Sequence, residues 1–224
     1  MSVARTATWF VALIGLTAGV AACGEVGFPG AVPPADTQSF PTEPASPLPS
    51  GVDAMTGLLQ RPMKPPTLAA NETCSVSSTA DLGAMAPNAG AGVGPAYLSG
   101  QSSWYSGGQA AILMVDAHYS GPLLVRPFQL GGDQKSTVAL TDFPPYANAN
   151  AADKERRHGV ALVPATRTTG GGLYLAAVAQ SSFWRAWFGT LATDSAGCFG
   201  LQVDGDVFTE FIVFAVNSGK APPG

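Results

Sequence analysis

Two histidines, three closely spaced carboxylates, three cysteines and a set of aromatics are the residues of this chain that could do chemistry. His118 sits beside Asp116 after an apolar run, and His158 follows Arg156-Arg157. A hydrolytic site would need one of them within hydrogen-bonding reach of a serine or a carboxylate. A zinc site would need further nitrogen, sulfur or carboxylate ligands to converge. Neither arrangement is visible in the order of the residues. Asp204, Asp206 and Glu210 are hard oxygen ligands near a tight turn, which makes them weak calcium candidates. Turn chemistry accounts for Asp204-Gly205 without a metal, and the twelve-residue calcium-loop pattern is missing. Gly100-Gln101-Ser102-Ser103-Trp104 lacks the second glycine of a nucleophile elbow. Gly131-Gly132-Asp133-Gln134-Lys135-Ser136 lacks the spacing of a phosphate loop. No catalytic residue is assigned, and no cofactor or metal is expected.

The aromatics ask for a role more directly. Trp104, Tyr105, Trp184, Arg185, Trp187 and Phe188 lie among serine, glycine and glutamine, and aromatics beside adaptable polar groups are what interfaces use as anchors. They form the candidate binding patch. Arg185, flanked by aromatics, could stack or pair with an anionic group. The competing reading is that these rings pack in the core, where aromatics bury large areas in any β domain.

The elements that must position these groups are short strands. Residues 111–115, 123–130 and 136–141 are compact apolar or β-branched runs separated by glycine and proline turns. Pro127 cannot donate to a ladder and argues for an edge or a bulge. Residues 143–158 form a polar excursion, with 149–157 able to make one or two helical turns. Strand character resumes at 159–164 and 172–179. Residues 182–191 fit both a helix face and a strand, and the short strands around them favour a strand. Cys198–Val203 and Asp206–Val216 flank Asp204-Gly205, a strong hairpin signal. On the return strand both faces are apolar, as expected for a strand covered on both sides. No window of 12 or more residues in the domain has helical periodicity. The expected fold is all-β: a single antiparallel β-sandwich over 67–217, with a short disordered tail over 218–224.

Net charge is −4 and only 12% of residues are charged. Nucleic acid binding rests on basic groups matching phosphates, and no basic patch exists here. Residues 24–66 hold ten prolines and few large apolar groups. They read as an extended, disordered tether.

Residues 1–22 have a short basic start, an apolar run and a small-residue end at Val20-Ala21-Ala22, followed by Cys23. That is the pattern of an export signal. Val20-Ala21-Ala22-Cys23 resembles the lipobox of bacterial lipoproteins. The resemblance implies cleavage before Cys23, a diacylglyceryl group on its sulfur, and a lipid anchor in a bacterial membrane with the domain on the extracytoplasmic side. Plain secretion and a retained membrane anchor are the alternatives. With Cys23 acylated, Cys74 and Cys198 remain as a pair, and export to an oxidising compartment makes them one disulfide. Closing so long a loop restricts the unfolded chain by about 4–5 kcal/mol in the chain-entropy account. Two buried free thiols are the alternative.

Residues 119–126, 196–205 and 208–214 resemble small bacterial lipoproteins whose domains are immunoglobulin-like. The Cys198-Phe199 strand with Val203 is similar to a late strand of such sandwiches. Two features depart from the antibody pattern: Cys74 lies far upstream of Cys198, and no tryptophan follows Cys74 at the usual short distance. The resemblance brings no catalytic residue. Together these readings describe a membrane-anchored extracytoplasmic binding or structural module whose partner is an envelope protein or glycan. The competing reading is a cell-envelope hydrolase with a site assembled in space around His118 or His158.

Overall fold

The apolar runs at 111–115, 123–130 and 208–216 fall in long strands. The computed structural model describes residues 37–69, 72–86, 88–131, 138–142, 160–169, 171–179 and 183–219. The signal segment 1–22, Cys23, His158, the expected helical turns over 149–157 and residues 220–224 lie outside the described residues. In chain order the first strands are β1 (Thr37–Gln38), β2 (Glu43–Pro44), β3 (Val76–Ser77), β4 (Thr79–Ala80) and β5 (Gly90–Ala91). Next come β6 (Ala96–Ser99), β7 (Trp104–Tyr105), β8 (Gly107–Val115), β9 (Leu123–Leu130) and β10 (Val138–Asp142). The last are β11 (Val160–Leu162), β12 (Thr166–Arg167), β13 (Leu173–Leu175), β14 (Trp184–Thr193), β15 (Gly197–Asp204) and β16 (Phe208–Asn217). One short helix, α1 (Ala54–Leu59), lies between β2 and β3.

Two sheets result. One runs β10-β14-β8-β6-β5-β4, with β11 lying parallel against the start of β14. The other runs β12-β13-β9-β15-β16-β2, with β7 parallel against the end of β16. The long pairings β14–β8, β15–β16 and β15–β9 are all antiparallel. The expected sandwich is present. Its main core lies between the sheets, where Leu113, Val115, Trp187 and Leu191 of the first meet Val125, Phe199, Leu201, Ile212 and Phe214 of the second. Alternation along the strands puts different residues on the outer faces, and these faces carry apolar clusters of their own. β16 is therefore covered on both sides, as its two apolar faces require.

Of the 182–191 region, residues 184–191 belong to the strand β14, whose side chains alternate between the core and the outer face. Pro127 pairs with Leu201 of β15, and the β13 pairing of β9 stops at Val125. Its missing N–H thus falls where β13 has already ended. The Asp204-Gly205 hairpin forms, closed by the Gly205 N–H donating to the Phe208 carbonyl at 2.9 Å. Its glycine is required by space: a Cβ on Gly205 would stand 2.1 Å from the Phe208 ring.

The tether expected up to residue 66 needs correction over its described part. Residues 37–66 form a strap that runs along the β16 edge and the outer face of the second sheet. β2 pairs with Phe208 and Thr209 of β16. Phe40 packs on the outer cluster of Phe128, Phe211 and Val213. Asp53 caps α1 by accepting from the Thr56 N–H at 3.0 Å, and Leu58 of that helix is fully buried. Proline excludes this segment from regular ladders, but not from packing through side chains. The packed domain begins no later than Thr37. Among the described residues no helix is long and apolar enough to cross a membrane.

Candidate functional site

The strap is fastened largely by polar groups. Arg61 reaches across it, and its guanidinium donates to the carbonyls of Ser46, Gly205, Asp206 and Phe208. Three of those carbonyls belong to the β15–β16 turn and the first residue of β16. On the outer face of the sheet, Gln202 donates to the Pro62 carbonyl at 3.1 Å and accepts from the Lys64 N–H at 2.8 Å. Arg126 donates to the Arg61 carbonyl at 2.8 Å and to the Asp204 carboxylate at 2.5 Å. Asp204 also accepts from Gln202 and from the Thr209 hydroxyl. A buried carboxylate demands such partners, and here the partners hold a second segment of chain. Between strap and sheet lies a groove of about 420 Å³, lined among others by Glu43, Leu48, Arg61, Lys64, Gln202 and Phe211.

The candidate aromatic patch does not form one surface. Trp104 and Trp187 are buried in the main core, Trp104 against Phe214 with ring centroids 5.7 Å apart. The Trp187 ring lies over Gly189, where a Cβ would come within 2.1 Å of it. Trp184 and Phe188 are half-buried on the outer face of the first sheet, where Trp184 meets Tyr97 at 5.8 Å. Tyr105 is half-buried in β7, which pairs with the end of β16 in the other sheet. The reason is the two-residue period: within β14, Trp184 and Phe188 point one way and Trp187 the other.

Arg185 is only 1% exposed, so it cannot be the anchor of an open patch. It donates to the carbonyls of Tyr119, Gly121 and Ala176, and its guanidinium lies 5.7 Å from the centre of the Tyr119 ring. Burial lowers its pKa, partly opposed by Tyr119. The side chain ties the turn after β8 to the chain leaving β13. Its aromatic neighbour is Tyr119 of the same chain, inside the protein.

The calcium candidates are kept apart. Asp204 is on the outer face with Arg126, while Asp206 accepts from the Tyr119 hydroxyl at 3.0 Å. Glu210 points into the sandwich and accepts from the N–H groups of Val93, Gly94 and Ala96. Among the described residues no three His, Cys, Asp or Glu side chains are placed to share a metal ion. His118 has a side chain 97% exposed and bonded to Asp116 at 2.7 Å. It lines no part of the groove. His158 lies outside the described residues.

Cys74 and Cys198 form a disulfide that closes a separation of 124 residues. It sits in the outer cluster of the second sheet, beside Phe128 and Phe211. No protein-family model, curated protein or solved structure matches this chain.

Reasoning from sequence missed Arg61, Arg126, Gln202 and the interior role of Glu210. A signal for two of them was present: Gln202 and Glu210 are polar residues inside otherwise apolar strands. Buried polar groups need partners, so each pointed to a second segment of chain. Arg61 gave no such sign, because an arginine in a proline-rich stretch reads as solvated.

Proposed function

We propose that this chain is an exported, lipid-anchored β-sandwich that serves outside the cytoplasm as a binding or structural module. The observation that carries the reading is the Cys74–Cys198 disulfide, which uses two of the three cysteines and leaves Cys23, directly after the small-residue signal end, for the lipid. Disulfides persist in oxidising compartments, in agreement with the export signal. The bacterial lipobox-like ending Val20-Ala21-Ala22-Cys23 supplies the chemistry of the anchor. The kinship to immunoglobulin-like domains rests on the Cys198-Phe199 strand. Against the antibody pattern, this disulfide lies on an outer face and not between the sheets.

The strap changes what the anchor does. Only residues 24–36 separate Cys23 from Thr37, so even a fully extended chain spans about 45 Å. The module stands close to the bilayer, and the groove beside the strap is its candidate contact surface for an envelope protein or glycan. The hydrolase reading gains no support from His118, which is solvated and away from the groove.

Mass spectrometry of the mature N-terminus and membrane fractionation of Cys23→Ser test the proposal. The expected results are a diacylated Cys23 in the membrane fraction and loss of membrane retention in the variant. An unmodified Cys23 in a full-length chain recovered from the cytosol would overturn it.

A further inference from the structure

Glu210 is a carboxylate with no exposure at all, on the core side of β16 among Phe208 and Ile212. Its Oε1 accepts from the N–H groups of Val93 and Gly94, each at 3.0 Å, and its Oε2 from the Ala96 N–H at 3.2 Å. These three donors belong to the connection that carries the chain from β5 into β6. The carbonyl of the middle residue, Gly94, accepts from the Thr42 hydroxyl of the strap at 2.7 Å. Thr42 precedes Glu43 and Pro44, which form β2 and line the groove. Two hydrogen bonds through Gly94 therefore connect an interior carboxylate to the groove wall.

We propose that Glu210 is a proton-operated latch, holding the 92–96 connection and, through Gly94, the Thr42 end of the strap. As a carboxylate it accepts with both oxygens. When it takes a proton from solvent, one oxygen becomes a donor and a much weaker acceptor, so one N–H of the three loses most of its hold. Oε2 is where the proton fits, because it holds a single and longer bond. The Ala96 N–H is then released first, and the pull on Gly94 changes with the charge on Oε1.

The surroundings place this change near neutral pH. Tyr97 of β6 is the titratable group nearest in sequence to the three donors, and the charge of Glu210 contributes to raising its pKa after burial and Asp116. Asp116, at the end of β8, donates its N–H to the Pro95 carbonyl. On the neighbouring strand Val203 faces Glu210, and Asp204 points to the opposite face. On the strap, Glu43 is exposed beside Thr42. None of these is a cation, and no ion pair to Glu210 is found among the described residues. Burial pushes its pKa up to about 7, against the opposing effect of the three N–H bonds.

The test is a pH titration of the isotope-labelled protein by NMR, from about pH 5 to about pH 9, which spans the neutral range. The expected result is that the amides of Val93, Gly94 and Ala96 titrate together with the Glu210 carboxyl carbon, midpoint about 7. The Thr42 amide follows them. In Glu210→Gln all four amides stay flat. In Thr42→Val the loop amides still titrate and the strap amide no longer does. Flat loop amides and a carboxyl carbon that does not change over this range in the native protein would overturn the latch, with no variant needed. A Thr42 response that survives Thr42→Val would overturn the relay to the strap.

Discussion

Arg126 and Asp204 form an ion pair at 2.5 Å on the outer face of the second sheet, with the carboxylate fully shielded from solvent. The pair does not face open water because residues 61–64 lie over it, and Arg126 also holds the Arg61 carbonyl. An ion pair in such a place is weak evidence for stability in itself, since desolvation offsets much of the attraction. Its consequence here is specificity of docking. The strap can lie only where its carbonyls and N–H groups meet Arg126 and Gln202.

Breaking that pair from one side is accordingly costly. Asp204→Ala leaves a buried guanidinium without its counter-charge and removes the acceptor of Gln202 and Thr209. The expected loss is roughly 3–5 kcal/mol, the range for a buried pair stripped of one partner. Urea denaturation measures it. Limited proteolysis with chymotrypsin adds a local readout: cleavage after Leu59 and Met63, each followed by a residue other than proline, should accelerate in Asp204→Ala before the sandwich itself is cut. Equal cleavage in variant and native protein would mean that the strap is held by other contacts.

Trp187 and Trp184 separate the core role from the surface role. Trp187→Ala empties a site in the main core, and the expected cost is about 3–5 kcal/mol. Trp184 is half-buried on the outer face, and its replacement should cost well under half as much. Thermal unfolding followed by circular dichroism compares them. Similar losses for both would show that the outer face is packed as tightly as the core.

The C-terminal half of the fold was legible because its strands obey local rules. The apolar runs at 111–115 and 123–130 and the Asp204-Gly205 turn each carry their own signal, and they form β8, β9 and the β15–β16 hairpin. What was not legible depends on contacts distant in sequence. Arg185 looked like an exposed anchor because arginine is mostly exposed, yet here three backbone carbonyls take it inside. The strap looked disordered because proline-rich, weakly apolar composition usually is. Arg61 and Gln202 hold it through partners about 140 residues away, which no local window can contain.

The disulfide closes nearly the whole sandwich, from before β3 to the start of β15. Replacing both Cys74 and Cys198 by serine should lower stability by about 2–5 kcal/mol, the range for removing a native disulfide from a small domain. Unfolding midpoints of native and double-variant protein measure the effect. Peptide mapping without reductant should recover Cys74 joined to Cys198 and never to Cys23.

Glu210 gives the protein a pH dependence of defined sign. Its folded-state pKa is raised from 4.5 to about 7 by burial, so the folded state holds the proton more tightly than the unfolded chain. Stability from this group is fully present below about pH 4.5 and falls as pH rises towards 7. Above that the loss is complete, on the order of 3 kcal/mol for a shift of this size. Glu210→Gln removes the titration while leaving an amide oxygen to accept from Val93 and Gly94. Like the protonated native side chain, it offers the Ala96 N–H no carboxylate oxygen, so in acid the variant starts close to the native stability. Its stability should then stay level across the interval in which the native protein declines. Urea midpoints collected from about pH 4 to pH 8 read the difference in slope. Parallel curves for the two proteins would mean that Glu210 keeps the same protonation state throughout.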